Sequence, residues 1–163
     1  MEIVTERIEI PLTGGGFMGG YLARPEGTES LPAVVVYMEI FGVNSHIRDV
    51  VERVASEGYV ALAPDFFHRS GPGAEYSYDE AGFAQGIQLL NQLVADEMIS
   101  DAQATLDYLR TRPDVRGDRI GCMGFCIGGH MTYLTACETD VVAAVSFYGG
   151  GIAAAEGPGG QDS

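Results

Sequence analysis

The sequence has 163 residues, a length that suits one domain, and its 46% hydrophobic and 20% charged residues are ordinary for a chain that folds around an apolar core. All nine basic residues are arginine, and against 23 acidic residues they leave a formal net charge of −14, which argues against nucleic acid and anionic membranes as partners. No apolar run approaches the ~18 residues of a membrane span, and the opening MEIVTERIEIPL lacks the basic start and apolar stretch of a secretory signal, so a cytoplasmic location is expected.

Glu2 to Ile10 alternates as a half-buried strand does, with Ile3, Ile8 and Ile10 apolar. Thr13–Gly16, TGGG, reads as a turn, and Phe17 to Ala23 as its hairpin partner. After a loop, AVVVYM (Ala33–Met38) is a continuous apolar run rich in β-branched residues, the pattern of a strand covered on both faces. The loop EIFGVN follows. Ser45 is placed to cap a helix over His46–Glu57 that Gly58 ends. Tyr59–Asp65 is a second buried strand.

Phe66 to Ser77 is a loop rich in glycine, proline and aromatic residues. Helical periodicity resumes near Tyr78 and continues, with a break around Asp96, to Arg110. RPDVRGD reads as a turn and Arg119–Met123 as a strand. A glycine-rich corner leads into a helix reaching about Cys137, and DVVAAVSFYGG holds a further strand. The closing GIAAAEGPGGQDS suggests no regular element. Strands alternating with helices predict an α/β fold, a mostly parallel sheet with helices on both faces. Sites in such folds lie at the carboxyl ends of strands. Two loops there carry reactive side chains: Glu39 after Ala33–Met38, and Cys126 after Arg119–Met123.

The three cysteines, Cys122, Cys126 and Cys137, are odd in number and irregular in spacing, which speaks against a disulfide framework. Only His130 lies near them, too few ligands for a structural zinc site, and no metal or cofactor is expected. Cys122, inside a strand, and Cys137, late in a helix, read as core residues. Gly124-Phe125-Cys126-Ile127-Gly128-Gly129 has the form of a nucleophile elbow with cysteine in place of serine. A sharp strand-to-helix turn lifts the nucleophile out of the sheet, and small neighbours relieve the crowding. The helix N-terminus then favours a thiolate, and the backbone N–H of Ile127 can face an oxyanion. Other readings stay open: a small core cysteine, a glycine corner that cradles phosphate, or a redox thiol resolved by Cys122.

MEIFGVN followed by a helix, GYVALAPDFF, and GCMGFCIGG stand in the order and spacing of the dienelactone hydrolases (carboxymethylenebutenolidases) of the α/β-hydrolase superfamily, and the chain resembles them from about Leu31 to Gly149. The resemblance implies a cysteine-dependent hydrolase of small esters or lactones. It makes Cys126 the nucleophile and Glu39 a carboxylate touching the thiol. The oxyanion would sit on the N–H groups of Ile40 and Ile127. A carboxylate beside a thiol opposes thiolate formation at rest, which limits idle oxidation.

The superfamily order is nucleophile, acid, histidine. After Cys126 the only histidine is His130, one helical turn on, where packing is the better reading. His46 and His68 precede the nucleophile, and His68 is at most a residue of the pocket rim. Asp162 in GGQDS superficially resembles the family's acid loop, but no apolar run separates it from Tyr148, so it is read as loop. The sequence therefore resembles the N-terminal portion of such a hydrolase, with the C-terminal strands, the acid and the histidine expected downstream or on a second chain. A sheet ending at Val141–Phe147 would expose an apolar edge. The alternative is a non-catalytic binding module of the same fold. Only Arg69 could reach the site mouth from the segment before Arg110, and the chain is strongly negative, so a neutral ester or lactone is expected rather than an anionic one.

Overall fold

The computed structural model describes residues 2–27 and 29–154. Ten elements follow in chain order: β1 (Ile3–Pro11), β2 (Phe17–Pro25), β3 (Leu31–Tyr37), α1 (Ser45–Ser56), β4 (Val60–Pro64), α2 (Glu80–Leu90), α3 (Ala95–Thr111), β5 (Val115–Phe125), α4 (Ile127–Glu138) and β6 (Ala143–Phe147). The strands form one sheet in the order β1-β2-β4-β3-β5-β6. The hairpin β1-β2 and the pair β2-β4 are antiparallel, and β4, β3, β5 and β6 run parallel. Tyr37 pairs with Gly124, and Phe125 with Phe147. This register brings the carboxyl ends of β3, β5 and β6 side by side, as the alternating pattern predicts.

All five residues of β4 are buried, and Val35 to Tyr37 of β3 are buried too, which is why these runs lack polar alternation. Strand alternation separates the two faces. On one face the Thr135 hydroxyl of α4 donates to the Tyr37 hydroxyl at 2.9 Å. On the other, α1 packs through Ile47, Val50, Val51 and Ala55, a stripe at helical spacing. Beyond α1 that second face is open: Val34, Met123, Val145 and Phe147 line an apolar groove of about 700 Å³ that contains neither Glu39 nor Cys126. Every residue of β6 is exposed, so the apolar edge expected at Val141–Phe147 is present among the described residues. No helix among the described residues is long and apolar enough to cross a membrane.

Several boundaries differ from the sequence expectation. The cap of α1 is Asn44, not Ser45: Asn44 has the extended backbone of an N-cap and its side-chain oxygen accepts from the Ile47 amide at 3.1 Å, while Ser45 is already helical. The helical break falls at 91–94 rather than at Asp96, because Leu93 turns into the core; Asp96 and Glu97 then lie in the first turn of α3, where the helix dipole favours them. β5 begins at Val115, inside the stretch read as a turn, because it pairs with Leu31 before an irregularity shifts the register by Ala33. Cys137 is exposed rather than core, since α4 buries residues 127–132, 134 and 135 and leaves 136–138 in solvent.

Candidate active site

Cys126 occupies the corner between β5 and α4 with φ 58° and ψ −122°. Among the described residues it and Tyr148 (φ 40°) are the two non-glycine positions with positive φ. Such backbone persists only where its surroundings hold it. Here the Cys126 amide donates to the Phe147 carbonyl at 3.1 Å, and the Cys126 carbonyl accepts from Gly129 at 2.9 Å. The glycines allow a close approach that a side chain would block. A methyl on Gly124 would run into the Gly128 carbonyl, and one on Gly128 into the carbonyls of Tyr37 and Met38. The start of α4 therefore presses on the end of β3, and this contact carries the Glu39 loop to the elbow.

Ile127 is the first helical residue of α4, where an amide has no acceptor within its own helix. Ile40 lies in the turn after β3 that the Gly42 amide closes onto the Glu39 carbonyl at 3.2 Å. A Cβ on Gly86 of α2 would meet the Ile40 carbonyl at 2.5 Å, so α2 packs directly behind this turn.

Glu39 is held by two phenols. Tyr78 donates to its Oε2 at 2.8 Å and Tyr148 to its Oε1 at 3.2 Å. Burial first, and then the bond and charge of Glu39, push the Tyr78 hydroxyl up to about 12, against a lowering bond from Asn44. The Tyr148 hydroxyl is also raised, by burial, then by Glu39, and last by Cys126. Tyr148 directly follows Phe147, whose carbonyl accepts from the Cys126 amide. Asn44 Nδ2 donates to the Tyr78 hydroxyl at 3.1 Å, and the Tyr78 ring lies 4.4 Å from that of Phe41. Among the described residues no group of three or more His, Cys, Asp or Glu is placed to hold a metal ion.

The dienelactone hydrolase family model matches residues 18–158. The chain belongs to the dienelactone hydrolase family. It is 49% identical over 135 residues to a provisionally named carboxymethylenebutenolidase of Synechocystis sp., covering 83% of this chain and 55% of that protein. It is 35% identical over 151 residues to a carboxymethylenebutenolidase of a Pseudomonas species, covering 92% of this chain and 63% of that protein. The crystal structure of a protein from Klebsiella pneumoniae, provisionally named a dienelactone hydrolase, superposes with a TM-score of 0.81 at 34% identity, over 91% of this chain and 61% of the other. The chain therefore spans little more than half the length of these dienelactone hydrolase relatives.

The four residues expected at a dienelactone hydrolase site, Glu39, Ile40, Cys126 and Ile127, all lie at the carboxyl ends of β3 and β5. One relationship differs: the Glu39 oxygens are bonded to phenols, and among the described residues no hydrogen bond joins Glu39 to the Cys126 thiol. Phenols are stronger donors than a thiol. Cys122 is buried, and burial pushes its thiol up to about 12, as suits a core residue. His130 is 1% exposed and its Nδ1 meets the Gly150 carbonyl at 2.9 Å, so it packs α4 against the turn after β6.

His68 and Arg69 do not reach the site. The Arg69 guanidinium grips Asp101 of α3 at 2.7 and 2.9 Å, and His68 Nε2 lies 3.0 Å from the same carboxylate. A buried carboxylate needs such partners, and it draws both side chains towards α3. Asp162 lies outside the described residues. Sequence reasoning missed Asn44, Tyr78 and Tyr148 as parts of the site. Tyr78 stood where the sequence shows only the resumption of helical periodicity. A bulky residue before two glycines at a strand's carboxyl end was the available signal for Tyr148.

Proposed function

We propose that this chain supplies the nucleophile, a carboxylate and the oxyanion hole of a cysteine-dependent hydrolase of small esters or lactones. The observation that carries the reading is the left-handed backbone of Cys126 at the head of α4. That conformation lifts the thiol out of the sheet and sets the positive end of a helix behind it. The Cys126 thiolate forms a bond to the substrate carbonyl carbon, and the carbonyl oxygen takes the displaced electron pair. The N–H groups of Ile40 and Ile127 donate to that oxyanion. Collapse breaks the carbon–oxygen bond, and the leaving oxygen (the ring oxygen of a lactone) takes the proton that the thiol gave to the general base on ionising. Water then attacks the resulting thioester, which releases the acid and restores the thiol.

The general base and its orienting acid belong, on this reading, to polypeptide outside the described residues. His68 is bound to Asp101, His130 to the Gly150 carbonyl, and His46 lies edge-on to Tyr78 with ring centroids 6.3 Å apart. This favours, as a second reading, a binding module without turnover. Hydrolysis of p-nitrophenyl acetate by the whole protein separates the two. Cys126→Ala is expected to reduce the rate to background, and Glu39→Gln to change it far more than Glu9→Gln does. Undiminished hydrolysis by Cys126→Ala excludes the cysteine mechanism. A whole protein that binds a lactone and never turns it over fits the binding module.

We infer further that the substrate is neutral. Arg69, the one arginine expected near the mouth, is neutralised by Asp101 and Glu97. A strong preference for an anionic lactone over p-nitrophenyl acetate contradicts this.

A further inference from the structure

Two tyrosines from distant parts of the chain close on Glu39, and each is itself fixed. Tyr78 comes from the loop before α2, where its hydroxyl takes the Asn44 amide and its ring packs on Phe41. Asn44 cannot move freely, because its other side-chain atom caps α1. Tyr148 comes from the turn after β6. Its ring lies 6.1 Å from that of Phe125, and its strained backbone directly follows Phe147, the residue that accepts from the Cys126 amide. We propose that Tyr78 and Tyr148 are positioning residues, a two-phenol clamp that keeps the Glu39 carboxylate off the Cys126 thiol and so sets how readily the thiolate forms.

The proposal rests on the reading of Cys126 as nucleophile and names what regulates it. A carboxylate whose two oxygens each accept a phenol hydrogen has part of its charge compensated and draws the thiol proton less strongly. Without the phenols it is free to accept from the thiol, which favours the protonated sulfur. The other titratable groups nearby are already committed. His130 of α4 is on the Gly150 carbonyl, and Asp79, at the start of α2, holds the Gly82 amide and the Ser77 hydroxyl. Cys122 of β5 is buried, and exposed His46 of α1 faces the Tyr78 ring.

Alkylation of Cys126 by iodoacetamide, followed across pH and resolved by peptide mass spectrometry, tests the clamp without requiring turnover. Tyr78→Phe/Tyr148→Phe is expected to raise the pH of half-maximal alkylation by about one unit, about tenfold slower labelling below the midpoint. Glu39→Gln is expected to lower that midpoint. Adding both Phe substitutions to Glu39→Gln is expected to change nothing further, an effect that packing damage alone does not produce. Cys137 is the exposed internal standard, and buried Cys122 stays unlabelled while the chain is folded. Should the double variant label at Cys122, Tyr148→Phe alone, at a position 68% exposed, carries the test. A midpoint that stays in place in the Phe variants, or moves equally in the Glu39→Gln background, overturns the clamp. Neither result depends on ester hydrolysis, so the hydrolase reading stands or falls separately.

Discussion

The amide of Cys126 donates to the carbonyl oxygen of Phe147 at 3.1 Å, so the elbow is braced by the strand that follows it in sequence. The same contact sets Tyr148 beside Cys126. An elbow of this kind is a junction of three strand ends and one helix start, and its tolerance to change depends on how closely they approach.

At Gly128 the start of α4 packs directly against the end of β3. Gly128→Ala drives a methyl into the Tyr37 and Met38 carbonyls, which cannot withdraw without moving β3. A loss of about 1–3 kcal/mol is expected from urea midpoints. Gly150→Ala meets nothing within 4 Å and is expected to stay within about 0.5 kcal/mol of the parent.

Asn44, not Ser45, holds the start of α1. Asn44→Ala is expected to cost about 1 kcal/mol in thermal or urea unfolding, and Ser45→Ala close to nothing. The reverse order of effects would return the cap to Ser45.

Asp114 carries a pH signature. The Arg112 guanidinium grips it at 2.9 and 2.8 Å and holds its carboxyl below the usual range, with Arg24 adding to the effect. The folded value lies below the unfolded one, about 3.9. The pair's contribution is therefore present above about pH 4 and is lost as pH falls through the folded value. In Asp114→Asn, stability should be lower at pH 7 and should fall less steeply below about pH 4. Urea midpoints measured from pH 7 down to pH 3 give the comparison.

Cys122 is expected to be inert. Iodoacetamide on the folded chain should modify Cys126 and Cys137 and spare Cys122 until urea is added, because burial holds that thiol protonated. Mild peroxide should likewise give no Cys122–Cys126 disulfide by peptide mapping. A disulfide formed reversibly in the folded chain would favour the redox reading.

The order of strands and helices, the parallel core of the sheet and the cysteine corner were all legible in the sequence. Each is written in short-range patterns: continuous apolar runs for β3 and β4, a helical stripe for α1, and glycines around Cys126. The limits of α1 and β5 were less legible, because a cap depends on one residue's backbone angle and a strand's start on its neighbour's register.

Partners were decided only by the tertiary structure. Glu39 meets Tyr78 and Tyr148, 39 and 109 positions away, and Arg69 meets Asp101, 32 away. No local period encodes such separations. The sequence by itself determined that a cysteine would stand at the head of a helix beside a glutamate loop. Packing decided which donors hold that glutamate, that Arg69 is taken by Asp101, and that Cys137 faces solvent. The physical reason is that a charged or polar side chain goes to the best donor or acceptor the folded chain brings within reach, and that choice exists only once distant segments have met.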